Sequence, residues 1–429
     1  MTARRRRARG LSRVLSAAVA CLWLGCVSAQ DRPDPANAIR IGATLPFSGE
    51  RAASGVALER ALRLAVDLVN AAGGLLGRPL ALDLRDSHSD DERGTADTLE
   101  LLDSAPLPFF IGPEEPRIAY QIADAIKSHR MVNLLPGLTS PTIHDASARA
   151  AWFRLSPSPV YLACALAKRM FKDGIRRANA VTDPDDYSGT FATIFGRVFT
   201  AMGGTLLPGL QLPATRSSFA AVFSTIERFG PDATLLVTSP SVGAGFLQEW
   251  AVRGKVGKWY LGPTLNNPAL LRNVPAGVLE GIHGVSPDLG PGAADFDRFF
   301  EAETGMPPLA GSHYYFDAVG LLALSIAEGI ALNGFIPDPV TFPIHLEKAT
   351  APPGETVTFD NLAAGLAMAA AGQDVHYHGA AGTYVLDDRG DSIQNQGTIW
   401  QISGNTFQNV GSELCNDEEV YPGYSTEEN

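Results

Sequence analysis

Ile39-Arg40-Ile41-Gly42-Ala43-Thr44-Leu45-Pro46-Phe47-Ser48-Gly49 is the stretch that decides the fold. Ile39, Ile41, Ala43 and Leu45 alternate with Arg40, Gly42 and Thr44, the period of a strand, and Pro46 stops the run. Helical spacing takes over from Val56, with Leu58, Leu62, Ala65 and Val69 on one face and Gly73-Gly74 at the end. Leu80 to Asp86 reads as the next strand, Thr95 to Leu102 as helix, and Phe109-Phe110-Ile111-Gly112 as a short buried strand. Ile118, Ile122 and Ile126 mark another helix, and Met131 to Leu135 a strand stopped by Pro136-Gly137. Strands that alternate with helices at this spacing build a parallel sheet with right-handed crossovers.

A second set of the same kind follows Ala151 to Leu155. Ser158-Pro159 opens a helix with Leu162, Leu166 and Met170 on one face. Strands are predicted at Ala178 to Thr182, Thr205 to Leu212, Ala233 to Thr238 and Trp259 to Gly262. The fold class expected is therefore α/β, with two doubly wound parallel-sheet lobes. Ligands of such sheets sit outside the carboxyl ends of the strands. Past Gly284 the pattern changes. Helices come at Asp295 to Glu303, Tyr314 to Leu332, Val340 to Ala349 and Leu362 to Ala371, then short antiparallel strands at Gly382 to Leu386, Thr398 to Ile402 and Thr406 to Val410. The apolar run Ala318 to Ile326 ends at Glu328 and reads as a core helix, too short to span a bilayer.

Composition narrows the function classes. The chain has 429 residues, 45% hydrophobic and 19% charged, which supplies real cores and excludes a disordered or fibrous protein. Its 46 acidic residues outnumber 34 basic ones. Six of the arginines crowd between Arg4 and Arg13; without them 28 basic residues face 46 acidic, a net charge of −18. So acidic a body does not suit a nucleic-acid backbone. Residues 1–29 read as an export signal: the arginine-rich start is followed by the apolar run Val14 to Leu24. Two processing readings compete, cleavage after Val27-Ser28-Ala29 and lipidation of Cys26 in the lipobox-like Trp23-Leu24-Gly25-Cys26. The mature chain keeps Cys164 and Cys415, which an exported protein can oxidise; two free thiols are the default expectation. The last 18 residues, 412–429, carry six acids and no base and read as a solvated acidic tail.

No enzyme signature emerges. Gly243-Ala-Gly245-Phe-Leu-Gln248 lacks the third glycine of a dinucleotide fingerprint, and the G-x-S-x-G, H-E-x-x-H and P-loop patterns are missing. His376 and His378 face one side of an extended segment with no third ligand evident, and Asp387-Asp388-Arg389-Gly390-Asp391 reads as a hairpin turn. Neither a cofactor nor a metal is expected.

The order of these pieces resembles the type I periplasmic solute-binding proteins, specifically the leucine/isoleucine/valine-binding receptors of ABC transporters. The pieces are Ile39 to Gly49, Val69-Asn70-Ala-Ala-Gly-Gly74, Gly77-Arg-Pro-Leu, Asp86, Ile111-Gly112-Pro113 and Leu135-Pro136-Gly137-Leu138-Thr139-Ser140-Pro141. Asp186-Tyr187-Ser188-Gly189, Leu261-Gly262-Pro263-Thr264, Tyr315-Phe316-Asp317-Ala318 and Tyr377-His378-Gly379-Ala-Ala-Gly382 complete the series. The resemblance implies two lobes joined by three hinge crossings, with residues 38–157 and 287–338 in the first and 158–286 and 339–411 in the second. The last crossing is expected near Pro337 to Val340. It implies a receptor that closes on a small polar solute, an amino acid or a related compound, with ABC permease subunits as partners and the membrane met only through a lipid anchor. A ligand sensor on the same fold is the alternative.

The resemblance also implies site residues. Gly137, Leu138 and Thr139 follow the fourth strand, where backbone amides and a hydroxyl suit an anion. Tyr187 matches a ligand-contact position of the second lobe. Ser239 falls where relatives place an aromatic, and Thr264 where they place the acid that pairs with an α-ammonium. In the loop after the third strand, Pro116 stands near the usual hydroxyl position, leaving Glu114, Glu115 and Arg117 as candidates; either glutamate can replace the missing acid, and Arg117 can equally meet a carboxylate. Ser48, after the first strand, is the tenth candidate. Each has a structural role open to it as well: Ser48 and Thr139 as helix caps, Tyr187 as packing, and Glu114, Glu115 and Arg117 as a solvated loop.

Overall fold

The computed structural model describes residues 37–104, 106–139, 152–213, 218–254, 257–387, 390–393 and 395–420. The export signal with Cys26, residues 140–151 after Thr139 and the end of the acidic tail lie outside them. The first lobe begins with β1 (Ile39–Leu45), α1 (Ala52–Ala71), β2 (Leu80–Asp86), α2 (Asp91–Ser104), β3 (Phe109–Ile111), α3 (Pro116–Ser128), β4 (Val132–Leu135) and β5 (Trp152–Arg154). All its strands pair in parallel, in the order β2-β1-β3-β4-β5. Ile41, Ala43, Phe109 and Ile111 bury on the α1 face, whereas Phe110 and Leu135 bury against α2 and α3.

The chain then enters the second lobe: α4 (Pro159–Lys172), β6 (Arg177–Thr182), α5 (Asp186–Ala201), β7 (Thr205–Leu206), β8 (Leu210–Gln211), α6 (Ala220–Phe229), β9 (Ala233–Val237), α7 (Pro240–Val252), β10 (Trp259–Leu261), α8 (Pro268–Asn273) and β11 (His283–Pro287). Parallel pairing again gives β7-β6-β9-β10-β11. The predicted strand Thr205 to Leu212 is two short pieces, β7 and β8, each beside β6. Numbered within each lobe, both sheets have the order 2-1-3-4-5. Each therefore has a switch point where successive connections leave in opposite directions, between β1 and β3 and between β6 and β9.

The return path is α9 (Ala293–Thr304), α10 (Ser312–Asn333), α11 (Phe342–Thr350), β12 (Glu355–Thr358), α12 (Leu362–Ala370), β13 (Val375–Gly379) and β14 (Gly382–Thr383). Here the structure corrects the expected boundary. Phe342, Leu346, Leu362, Leu366, Tyr377 and Tyr384 share one core with Ile41, Leu58 and Leu62, so residues 339–384 belong to the first lobe. The reason lies in α10. Every residue from Ser312 to Ile330 is buried, and a helix apolar all round needs cover on all sides. Helices α1, α11 and α12 provide that cover. Pro337 to Val340 is the turn between α10 and α11, held by Asp338 and Thr341, and not a crossing.

One buried acid fixes this return path. Asp317 accepts from the hydroxyls of Tyr377 (2.8 Å) and Tyr384 (2.7 Å) and from the amides of Ala380 and Ala381 (both 2.7 Å). A side chain at Gly379 would collide with the Asp317 carboxylate. The two motifs quoted around Asp317 and Gly379 are thus the two halves of one contact.

The third crossing is residues 385–395, which lead into β15 (Gln396–Ser403), β16 (Thr406–Leu414) and α13 (Asp417–Val420). It runs beside the first crossing, residues 155–158 between β5 and α4. Arg154 donates its amide to the Gly390 carbonyl, Ser392 donates to the Arg154 carbonyl, and the Arg154 guanidinium lies 3.1 Å from Asp391. The Asp387 to Asp391 stretch therefore serves the hinge; its Asp388 and Arg389 lie outside the described residues. The second crossing joins the bundle where Gln396 donates to Asp288 (2.6 Å) and β15 pairs antiparallel with β11.

Two tail expectations also change. Cys164 on α4 and Cys415 after β16 form a disulfide with a Cα–Cα distance of 6.3 Å, not two free thiols. Residues 412–420 are docked: β16 runs through Leu414, Val420 is buried in the core around α4 and α5, and Lys168 pairs with Glu419 (2.6 Å).

Candidate ligand-binding site

At the first switch point, three loops converge. The loop after β1 is stapled to the end of β2: Asp86 accepts from the amides of Phe47 (2.9 Å), Ser48 (3.1 Å) and His88 (2.7 Å) and from the Ser48 hydroxyl (2.7 Å). Burial pushes the Asp86 carboxyl up, but those hydrogen bonds outweigh it and hold the group below its ordinary value. Ser48 is thus committed to this staple. The staple presents Arg51, just before α1. Its guanidinium pairs with Glu115 and reaches Glu114 at 3.5 Å. Glu115, at the N-cap of α3, is buried; one oxygen takes both Arg51 and the Ser87 hydroxyl, and the other has no partner among the described residues.

Glu114 is less well served. Its side chain is 23% exposed and its one ion pair is long. Burial pushes its carboxyl up to about 7, the Arg51 charge pulls it down and the Glu115 charge raises it further. Glu114 packs under Gly137, where a Cβ would stand 3.1 Å from the Glu114 Cγ, 3.1 Å from the Tyr315 ring and 3.2 Å from the Tyr315 hydroxyl. That close approach is what a glycine permits here. Tyr315, from α10, is fully buried and its hydroxyl has no partner among the described residues. Burial and the two glutamates raise the Tyr315 phenol well above its ordinary value, so it stays a neutral donor.

At the second switch point, Asp183 follows β6 and is buried; its carboxylate accepts from the Ser239 amide (2.9 Å) at the N-cap of α7. Asp185 caps α5 by accepting from the amide (2.8 Å) and hydroxyl (3.0 Å) of Ser188. Half-buried Tyr187 stands on the first turn of α5 against Phe191, its phenol raised by burial and then by the Asp185 charge. The half-buried Thr264 donates its hydroxyl to the Thr238 carbonyl (2.7 Å).

Glu114, Glu115 and Gly137 meet at one switch point, and Ser239, Tyr187 and Thr264 lie just past the carboxyl ends of strands of the other sheet. Thr139 is half-buried where this part of the described chain stops. Leu138 is fully buried in the α2–α3 core and serves packing. Arg117 points away, 76% exposed and 3.8 Å from Asp91 on the neighbouring α2. The sequence reading missed Arg51, Ser87, Tyr315 and Asp183. Arg51 had a signal: a cation before a helix start with no acid in the first turn opposes the helix dipole, so it needs another reason to be there.

The family model described as periplasmic binding protein matches residues 38–330. The Leu/Ile/Val-binding protein BraC3 of Rhizobium johnstonii is 24% identical over 194 residues, 44% of this chain and 51% of that protein. The chain thus spans about half the length of that relative. The chemotactic signal transduction system substrate-binding protein BasB of Halobacterium salinarum is 22% identical over 357 residues, 81% of this chain and 83% of that protein. Among solved structures, the leucine binding protein LivK of Thermotoga maritima superposes with a TM-score of 0.71 at 19% identity, covering 89% of this chain and 99% of that one.

Proposed function

The chain belongs to the periplasmic binding protein family, and from that premise we propose that it is the solute receptor of an ABC importer. Members of the family are solute-binding proteins, not enzymes, and act outside the cytoplasm. On this reading the two switch points face one cleft. A small polar solute, an amino acid or a related compound, bridges them and holds the lobes shut, because it touches both only in the closed form. The permease reads that form. Export through residues 1–29 belongs to the same proposal, with the mature start at Gln30 or at a lipidated Cys26.

What supports the reading is the repeated 2-1-3-4-5 order, with polar groups gathered at both switch points and three neighbouring crossings between the lobes. The test is a thermal-shift screen against amino acids, amides, short peptides and small carboxylates. A solute at a thousandfold excess over its Kd stabilises by about 4 kcal/mol. Calorimetry with the hit should show Tyr187→Ala and Thr139→Ala each weakening binding about tenfold while the fold holds. Unchanged affinity in both rejects this cleft. A second reading, a sensor without transport, has one observation in its favour: BasB, similar along most of its length, serves chemotactic signalling. Co-purification of the tagged receptor with a permease or with a transducer separates the two.

A further inference from the structure

Resting on that reading, we infer that the first-lobe anchor at Arg51, Glu114, Glu115 and Tyr315 takes a cationic group of the solute, an ammonium or amidinium, and not a carboxylate. Two acids face one base here. Arg51 is already spent: its two terminal nitrogens are turned to Glu115 and Glu114. Above pH 7, where Glu114 is ionised, an incoming carboxylate would meet a net negative charge, and at any pH it would have to strip the guanidinium from Glu115, leaving a buried acid unpaired.

An incoming cation meets the opposite situation. Glu114 lacks a close counter-charge, and its side chain is only partly buried. Beside it, one oxygen of Glu115 and the Tyr315 hydroxyl are buried polar atoms with no partner among the described residues. Buried polar atoms are nearly always satisfied, so unsatisfied ones at a switch point mark where a guest's atoms belong. Among the described residues, the other charged groups nearby do not offset the excess. Asp86 is held by the loop amides, and His88 sits between Asp86 (3.1 Å) and Asp97 (2.8 Å). The raised Glu114 carboxyl is the electrostatic trace of the same imbalance. A bound cation would return that group to the ionised form and release its proton.

The test uses the mature chain and paired probes of one skeleton: 3-methylbutylamine with 4-methylpentanoate, and benzylamine with benzoate. Amine-bearing probes should bind by calorimetry while the carboxylate-only partners bind at least tenfold more weakly. Amine affinity should rise about tenfold per pH unit up to pH 7 and level off above it, because only ionised Glu114 attracts the cation. Glu114→Gln should weaken the amines roughly a hundredfold. Tyr315→Phe, which removes a hydroxyl with no internal partner, should weaken them about fivefold without lowering Tm. Carboxylates that bind as well as their amine partners overturn the inference, as does an unchanged amine affinity in Glu114→Gln. Carboxylate binding that is lost in Tyr187→Ala would overturn the inference alone and leave the receptor reading standing. Silence across these probes and the broader solute screen would overturn both.

Discussion

The two switch points share a topology and differ in how they treat charge. In the second lobe, two acids are used by the protein: Asp183 holds the start of α7 through the Ser239 amide, and Asp185 caps α5. In the first lobe, three charged groups share one short and one long ion pair, and two buried polar atoms go without partners. Asp317, only two residues from Tyr315 on the same helix, shows the opposite extreme with four donors. An acid satisfied from within is scaffold, whereas one left wanting is a place for something else. On the proposed reading, one jaw therefore recognises the solute and the other is largely pre-set.

Removing each acid in turn can break that distinction. Asp317→Ala should have the largest effect, destabilising by about 3–5 kcal/mol, because it strands two tyrosine hydroxyls and two amides in the core. Denaturant titration would show it, and a loss under 1 kcal/mol would remove Asp317 from the scaffold. Asp183→Ala should follow at about 1–3 kcal/mol, the cost of leaving the Ser239 amide unmatched.

Glu114→Gln should have the opposite sign. The folded protein keeps the Glu114 proton up to about pH 7, while the unfolded chain loses it near 4.5. Between those values the folded state binds a proton the unfolded state does not, so stability falls as pH rises and flattens above 7. The glutamine variant escapes that loss and should be about 1–3 kcal/mol more stable than the native protein at pH 8, and nearly equal to it at pH 4.5. A destabilised variant at pH 8 would make Glu114 another scaffold acid and erase the difference between the jaws.

The sheets were legible because their signals are local. Ile39 to Leu45 alternates cleanly, and strand starts at 80, 109 and 132 follow from short apolar runs bounded by turn residues. The home of residues 339–384 was not legible, since a proline at 337 marks a hinge and a helix turn equally well. Only the all-round burial of α10 decides between them. Pairing of Cys164 with Cys415 spans 251 positions, beyond any local pattern. At the site, Glu114 and Glu115 could be picked out because they follow a predicted strand. Tyr315 could not, because it reaches the loop from a helix two hundred residues further on, and Arg117 was misjudged because the second residue of α3 turns away from the loop that carries its neighbours.

The disulfide has a consequence for the integrity of the whole molecule. It closes the chain from α4 through the second lobe, out into the first and back again into one covalent ring. A protease that severs the backbone once anywhere within that ring, in either of the two later crossings for instance, frees nothing. The pieces stay joined through sulfur, and in an oxidising compartment a nicked molecule keeps both ends of its second sheet on one tether.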